Sequence, residues 1–317
     1  MSNGERLGVV LMTYGSPADL DDMPRYLAAV RGGRPAAEEL VMEFRRRYEL
    51  IGGSPLIPIT QAQAAAVEVL LREDDVDARV EAGMRFSEPS IPSVVSSLVA
   101  RGCTTIVGII MSPQYSAMLM NGYERALGEA VQALDGNAPA FRLAPAWYRD
   151  YQFIGAVAQR IEEGLARLPS TERDRAPVLL TAHSLPLRVA EAEPEYLIQL
   201  RDTSEMVADR AGLERDRWQF CWQSAGHEPG EWMKPDFADL VPALQADGHR
   251  SVLVAPVQFL ADHLEVLYDI DVAARKQAES AGIAFARIDS LNVLPPFIEC
   301  LARVARQTAG MQVAEFP

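Results

Sequence analysis

Short apolar runs rich in β-branched residues recur along the chain, and the stretches between them carry the three-to-four-residue spacing of amphipathic helices. The runs occupy residues 8–13, 79–86, 105–111, 141–146, 178–182, 218–222, 251–258 and 283–288. Helix punctuation separates them. Thr60 precedes the periodic segment 61–71, Ser90 precedes a segment ending at Gly102, and Gly282 closes a long segment that begins at Ala261. Strand runs that are apolar throughout, alternating with helices, predict parallel sheets covered on both faces, an α/β fold. Four runs fall before residue 147 and four after residue 177, with a helical crossover over 151–168 between them. The expectation is two similar lobes, 1–147 and 148–317, each with a mostly parallel four-stranded sheet. Ligands of such sheets bind beyond the carboxyl ends of the strands. The residues just after each run therefore matter most: Tyr14, Ser112, His183, Ser224 and the segment from Gln258 to Glu265.

Composition narrows the class. With 317 residues, 49% hydrophobic and 23% charged, the chain can bury a large core, and it contains neither a spanning apolar run nor an N-terminal segment shaped like a signal peptide. A cytoplasmic protein without a membrane span is expected. The formal charge of −14 argues against a nucleic-acid partner. Against that acidic background Arg31, Arg34, Arg45, Arg46 and Arg47 form a local basic cluster, which ordinary charge patterning explains as a solvated helix face. Cys103, Cys221 and Cys300 are odd in number and far apart, so neither a disulfide framework nor a four-thiolate cluster is expected.

The chain has four histidines, His183, His227, His249 and His263. His183 ends an apolar run beside a Pro-containing turn. A strand-end histidine is by itself more often structural than catalytic, and its location at a carboxyl end raises its interest. Farther on, Asp262, Glu265 and Asp269 stand three and four residues apart, a spacing that places three carboxylates along one helix stripe. N-capping and the helix dipole are the ordinary explanation of Asp262. Glu265 and Asp269 lie deeper, among Leu264, Leu267 and Tyr268.

Longer strings carry more information than these pairs. Thr181-Ala182-His183-Ser184-Leu185-Pro186, Cys221-Trp222-Gln223-Ser224 and the segment from Pro256 through His263 and Glu265 to Asp269 resemble the motifs of ferrochelatases, in that family's order. So do Leu11-Met12-Thr13-Tyr14-Gly15-Ser16-Pro17, Gly52-Gly53-Ser54-Pro55-Leu56 and Ser112-Pro113-Gln114-Tyr115-Ser116. The resemblance covers nearly the whole chain.

The resemblance implies two Rossmann-like lobes with a porphyrin cleft between them, and insertion of Fe2+ into the porphyrin with release of two protons. It places the metal-handling pair on His183 and Glu265, with Asp269 extending an acidic track and His263 orienting the helix start. Tyr14 stands where soluble members of the coproporphyrin-dependent branch carry a tyrosine that contacts the metal, which implies coproporphyrin III as substrate. Arg31, Arg34, Arg47, Ser54, Gln63, Tyr123 and Ser224 fall in segments that resemble the family's substrate-binding segments. Guanidinium forks suit propionates, so a tetracarboxylate substrate would also account for the basic cluster.

Two departures stand out. Ala273 occupies a position where the family often has a further acid, and the loop Arg31-Gly32-Gly33-Arg34 lacks one frequent basic residue. Iron is expected as substrate, with no permanently bound cofactor and no iron–sulfur cluster. Transient haem-pathway enzymes are the expected partners of a monomer. Two other classes fit the same scaffold: a non-catalytic tetrapyrrole or haem carrier, which needs only an axial ligand such as Tyr14, and a cobalt chelatase. The joint presence of His183 and Glu265 argues against the carrier, and the long His-to-Glu strings together with Tyr14 favour the iron-inserting enzyme over the cobalt chelatase.

Overall fold

A computed structural model of the chain describes residues 6–134, 138–226 and 230–311. His227 and the tail 312–317 lie outside the described residues. The elements run β1 (Leu7–Thr13), α1 (Met23–Val30), α2 (Glu38–Ile51), α3 (Leu56–Glu73), β2 (Ala78–Met84), α4 (Ile91–Ala100), β3 (Thr105–Ile110), α5 (Ala117–Gln132) and β4 (Ala140–Leu143). They continue with α6 (Tyr151–Ala166), α7 (Ser170–Arg173), β5 (Val178–His183), α8 (Leu187–Ala192), α9 (Pro194–Arg210), β6 (Trp218–Gln223) and α10 (Phe237–Ala246). After β7 (Ser251–Pro256) comes a π-helix (Glu265–Ala274) that runs into α11 (Arg275–Ser280), then β8 (Ala284–Arg287) and α12 (Pro295–Ala309).

The eight strands form two sheets, ordered β2-β1-β3-β4 and β6-β5-β7-β8, and every pairing is parallel. The two orders are the same connectivity used twice. In each sheet the first strand in sequence lies between the second and the third, so the direction of winding reverses beside it, and loops diverge there to leave room for a ligand. Tyr14 follows β1 and His183 ends β5, so both stand at that point of their own sheet. The core strands are apolar without alternation because helices cover both faces: all of β1 and all of β7 is buried.

The helices begin and end for local reasons. Asp150 caps α6 by accepting from the backbone of Gln152 and Phe153, and Asp236 caps α10 in a reciprocal capping box with Asp239. Thr60 is not the start of α3. The helix begins one turn earlier, at Leu56 after Pro55, and the Thr60 hydroxyl donates back to the Leu56 carbonyl from within it.

The described chain separates into two compact units. The first takes the residues up to Pro113, Leu119–Trp147, and everything from Asn292 onward; the second takes Gln114–Met118 and Tyr148–Leu291. A single cut between 147 and 148 therefore misassigns the C-terminal segment. Helix α12 packs on α3, β3 and β4 of the first unit. It buries Phe297, Ile298, Leu301 and Val304 there, and Arg306 pairs with Asp74. Its amphipathic pattern is clear in sequence, but the pattern does not say which sheet it covers.

Candidate active site

In the second unit β5 and the π-helix bring two predicted residues together. His183 is the last residue of β5, and its backbone N–H donates to Gln258 Oε1 at 2.9 Å. The Gln258 amide in turn donates to the hydroxyl of the buried Tyr196, so the strand end is anchored from the loop after β7. His183 Nδ1 lies 2.5 Å from the Ser184 carbonyl. A carbonyl can only accept, so Nδ1 carries the proton and Nε2 presents a lone pair whenever the ring is neutral. That Nε2 faces Glu265 Oε1 at 3.6 Å, with the two side chains 28% and 36% exposed. The pair is thus rigidly held and still reachable.

Glu265 opens the π-helix, and its other oxygen lies 3.4 Å from His263 Nε2. His263 Nδ1 is bound to the Ala261 carbonyl at 2.9 Å, while its ring edge meets Phe259 at 4.7 Å. Its own carbonyl accepts from Val266 and Leu267 at the first turn. The expectation that His263 orients the helix start is matched by these contacts. Burial pushes the Glu265 carboxyl up, but the imidazoles of His183 and His263 outweigh it and hold the pKa at about 2. Burial acts to lower His263, and its hydrogen bond and proximity to Glu265 outweigh that, so its pKa is raised. Glu265 is therefore a fixed negative charge between two imidazoles at neutral pH.

The segment that carries Glu265 closes its turns with i→i+5 hydrogen bonds, a geometry frequent at functional sites. Asp269, four residues on, borders a cavity of about 200 Å³ together with Thr181, Gln223, Ser224, Asp236 and Ala273. Ser224 has a left-handed backbone, φ 58°, at the carboxyl end of β6. Asp262 does not join the stripe. It precedes the helix, accepts from the Ser290 hydroxyl at 2.8 Å and pairs with Arg287, whose guanidinium also clamps Asp271. The three-carboxylate spacing assumed a regular helix from Asp262, and the helix starts later.

The remaining predicted residues lie in the first unit. Tyr14 is 41% exposed just beyond β1, edge-on to Phe86 at 4.7 Å, and its loop is tied by Tyr26 to the Gly15 carbonyl and by Ser87 to the Ser16 carbonyl. Arg31 and Arg34 are exposed after α1, where Arg34 Nε donates to the Arg31 carbonyl. Arg47 is held by Glu43 at 2.7 Å, and Ser54 Oγ accepts from the Leu56 backbone. Gln63 is fully buried, its amide donating to the Asn292 carbonyl at 2.8 Å, so it faces the returning C-terminal segment instead of solvent. Tyr123 is also buried, which pushes its phenol pKa up. Gln258, which anchors His183, lies in the strand-end segment singled out from the sequence; Tyr196, which holds Gln258, and Arg85, which packs on Tyr123, gave no signal there.

The fold resembles that of SirB from Bacillus subtilis solved with Fe3+, at 12% identity and a TM-score of 0.62 over 96% of both chains. In sequence, a coproporphyrin III ferrochelatase of Geobacillus kaustophilus is 37% identical over 94% of each chain. A ferrochelatase of Deinococcus radiodurans is 34% identical over 98% of each. The profile of the family described as Ferrochelatase matches residues 6–309, and the chain belongs to that family.

Proposed function

We propose that this enzyme inserts ferrous iron into coproporphyrin III to give coprohaem, with His183 and Glu265 as the catalytic pair. The observation that carries the reading is an imidazole with its Nε2 lone pair facing an ionised carboxylate at 3.6 Å. A free-base porphyrin holds two pyrrole N–H bonds that must break before the metal occupies the ring. One dication enters and two protons leave, so the exchange conserves charge. His183 Nε2 can accept such a proton, and imidazole and carboxylate are both ligands for ferrous iron. Glu265, ionised throughout the physiological range, stabilises the imidazolium that results and holds an approaching cation. Asp269 extends the acidic track toward the adjoining cavity.

Tyr14 is proposed as a metal contact, and Arg31, Arg34, Arg47 and Ser54 as propionate partners. Coproporphyrin as substrate is supported by Tyr14 and by relatives that carry that substrate in their names. No helix among the described residues is long and apolar enough to cross a membrane, and the reading places the reaction in the cytoplasm. The three cysteines are buried far apart in sequence, Cys103 before β3, Cys221 in β6 and Cys300 in α12, and the proposal includes no resident cofactor.

The test is anaerobic insertion of ferrous iron into coproporphyrin III and protoporphyrin IX in parallel, followed by porphyrin absorption. Faster turnover of coproporphyrin is expected. Preference for protoporphyrin would remove the substrate assignment and keep the reaction; binding of both without turnover would point to a carrier.

A further inference from the structure

Arg85 stands immediately beyond β2, as Tyr14 stands beyond β1. Its backbone N–H donates to the Thr13 carbonyl at 2.9 Å and that of Phe86 to the Tyr14 carbonyl at 3.1 Å, so the parallel ladder carries the two residues off neighbouring strand ends. The half-buried guanidinium lies 4.8 Å from the centre of the Phe86 ring and 5.2 Å from that of Tyr123. It rests on Gly122 of α5, where a methyl group would fall 1.9 Å from Arg85 Nη2. Any larger residue there would evict the arginine. Glycine weakens a helix, so its presence at this point serves the close approach.

The seat lacks a counter-charge. Among the described residues no carboxylate lies within ion-pair distance of Arg85, in a chain where acids outnumber bases by 44 to 30. Two other stacked arginines are neutralised, Arg275 over Phe285 by Asp271 at 3.9 Å and Arg47 over Phe44 by Glu43 at 2.7 Å, while Arg215 over Trp218 has no carboxylate partner among the described residues but is exposed to water. A guanidinium that gives up part of its hydration without a partner is unfavourable unless an anion completes it. The free edge beside an exposed tyrosine suits a planar carboxylate.

We infer that Arg85 receives a carboxylate of the bound tetrapyrrole and thereby selects a tetracarboxylate porphyrin over a dicarboxylate one. This rests on the function proposed above. A porphyrin with a vinyl group in place of that propionate leaves the guanidinium unpaired, and a polar group left unpaired discriminates more strongly than a missing methylene does.

Steady-state insertion of ferrous iron into coproporphyrin III and protoporphyrin IX by the full chain tests it, with wild type, R85L, R85K and G122A compared. R85L should lower kcat/KM for coproporphyrin by about tenfold or more, mainly through KM, and lower the coproporphyrin-to-protoporphyrin ratio accordingly. R85K should fall between, and G122A, which displaces the guanidinium without removing it, should shift the ratio in the same direction. If R85L does not fold, R85K and G122A decide. A wild-type preference for coproporphyrin that survives unchanged in the variants overturns the role of Arg85 alone, as does an equal loss for both porphyrins with a lowered Tm, which marks a packing residue. A wild type with no preference for coproporphyrin removes the substrate reading together with this inference.

Discussion

Two imidazoles flank Glu265 and hold its pKa low against burial, and that arrangement separates three roles that one variant each can test. His183→Ala should abolish insertion while porphyrin binding, read by fluorescence quenching, persists; unchanged turnover would exclude Nε2 as the acceptor. Glu265→Gln should cut kcat by about a hundredfold or more, the range of a positioned acid–base group. His263→Gln acts on stability with a defined sign. The folded pKa of His263 is raised, so its pair with Glu265 contributes fully below the unfolded value of about 6.5 and is lost as pH rises through the folded value. The Tm deficit of His263→Gln should therefore be larger at about pH 6 than at about pH 9, and a deficit that grows with pH would reverse the assignment. His183 and Glu265 were legible from long strings around them. Arg85 was not, because an isolated arginine after a strand carries no pattern, and its meaning depends on Gly122 and Tyr123 some 37 residues away.

At the scale of elements, strand positions could be read to within a few residues because buried parallel strands are apolar without interruption. The run at 251–258 ended early, at Pro256, because Gln258 has turned to hold His183. The π-helix was invisible in sequence. Apolar periodicity over ten residues does not distinguish a helix bonded four apart from one bonded five apart, and both place Glu265 and Asp269 on related faces. Helix-to-sheet distance is likewise set by single residues. Gly164 lets α6 lie close to β7: a methyl group there would sit 2.8 Å from Leu253 Cδ1 and 3.3 Å from Ile288. Gly164→Ala should lower stability by about 1–3 kcal/mol in urea unfolding, and a neutral result would mean that Leu253 finds another rotamer.

Across the whole molecule, two units repeat one strand order, yet the side chains at equivalent places differ: a phenol after β1 and an imidazole at the end of β5. The three cysteines are buried, and burial pushes the Cys103 thiol up to about 11 and the Cys221 thiol to about 12. Native protein should consequently leave both unmodified by a thiol reagent at neutral pH, and denaturant should expose them together with Cys300; rapid native labelling would show a more open structure.

The return of the C-terminal segment has a consequence in time. A ribosome delivers the whole of the second unit's main segment, Tyr148–Leu291, before it delivers α12. The first-made sheet must therefore wait, its α3 and β3 faces uncovered, until Phe297, Leu301 and Val304 emerge. The lobe that is begun first is finished last, and a nascent chain halted after residue 291 would carry one unit with its main segment complete and another still missing its final helix.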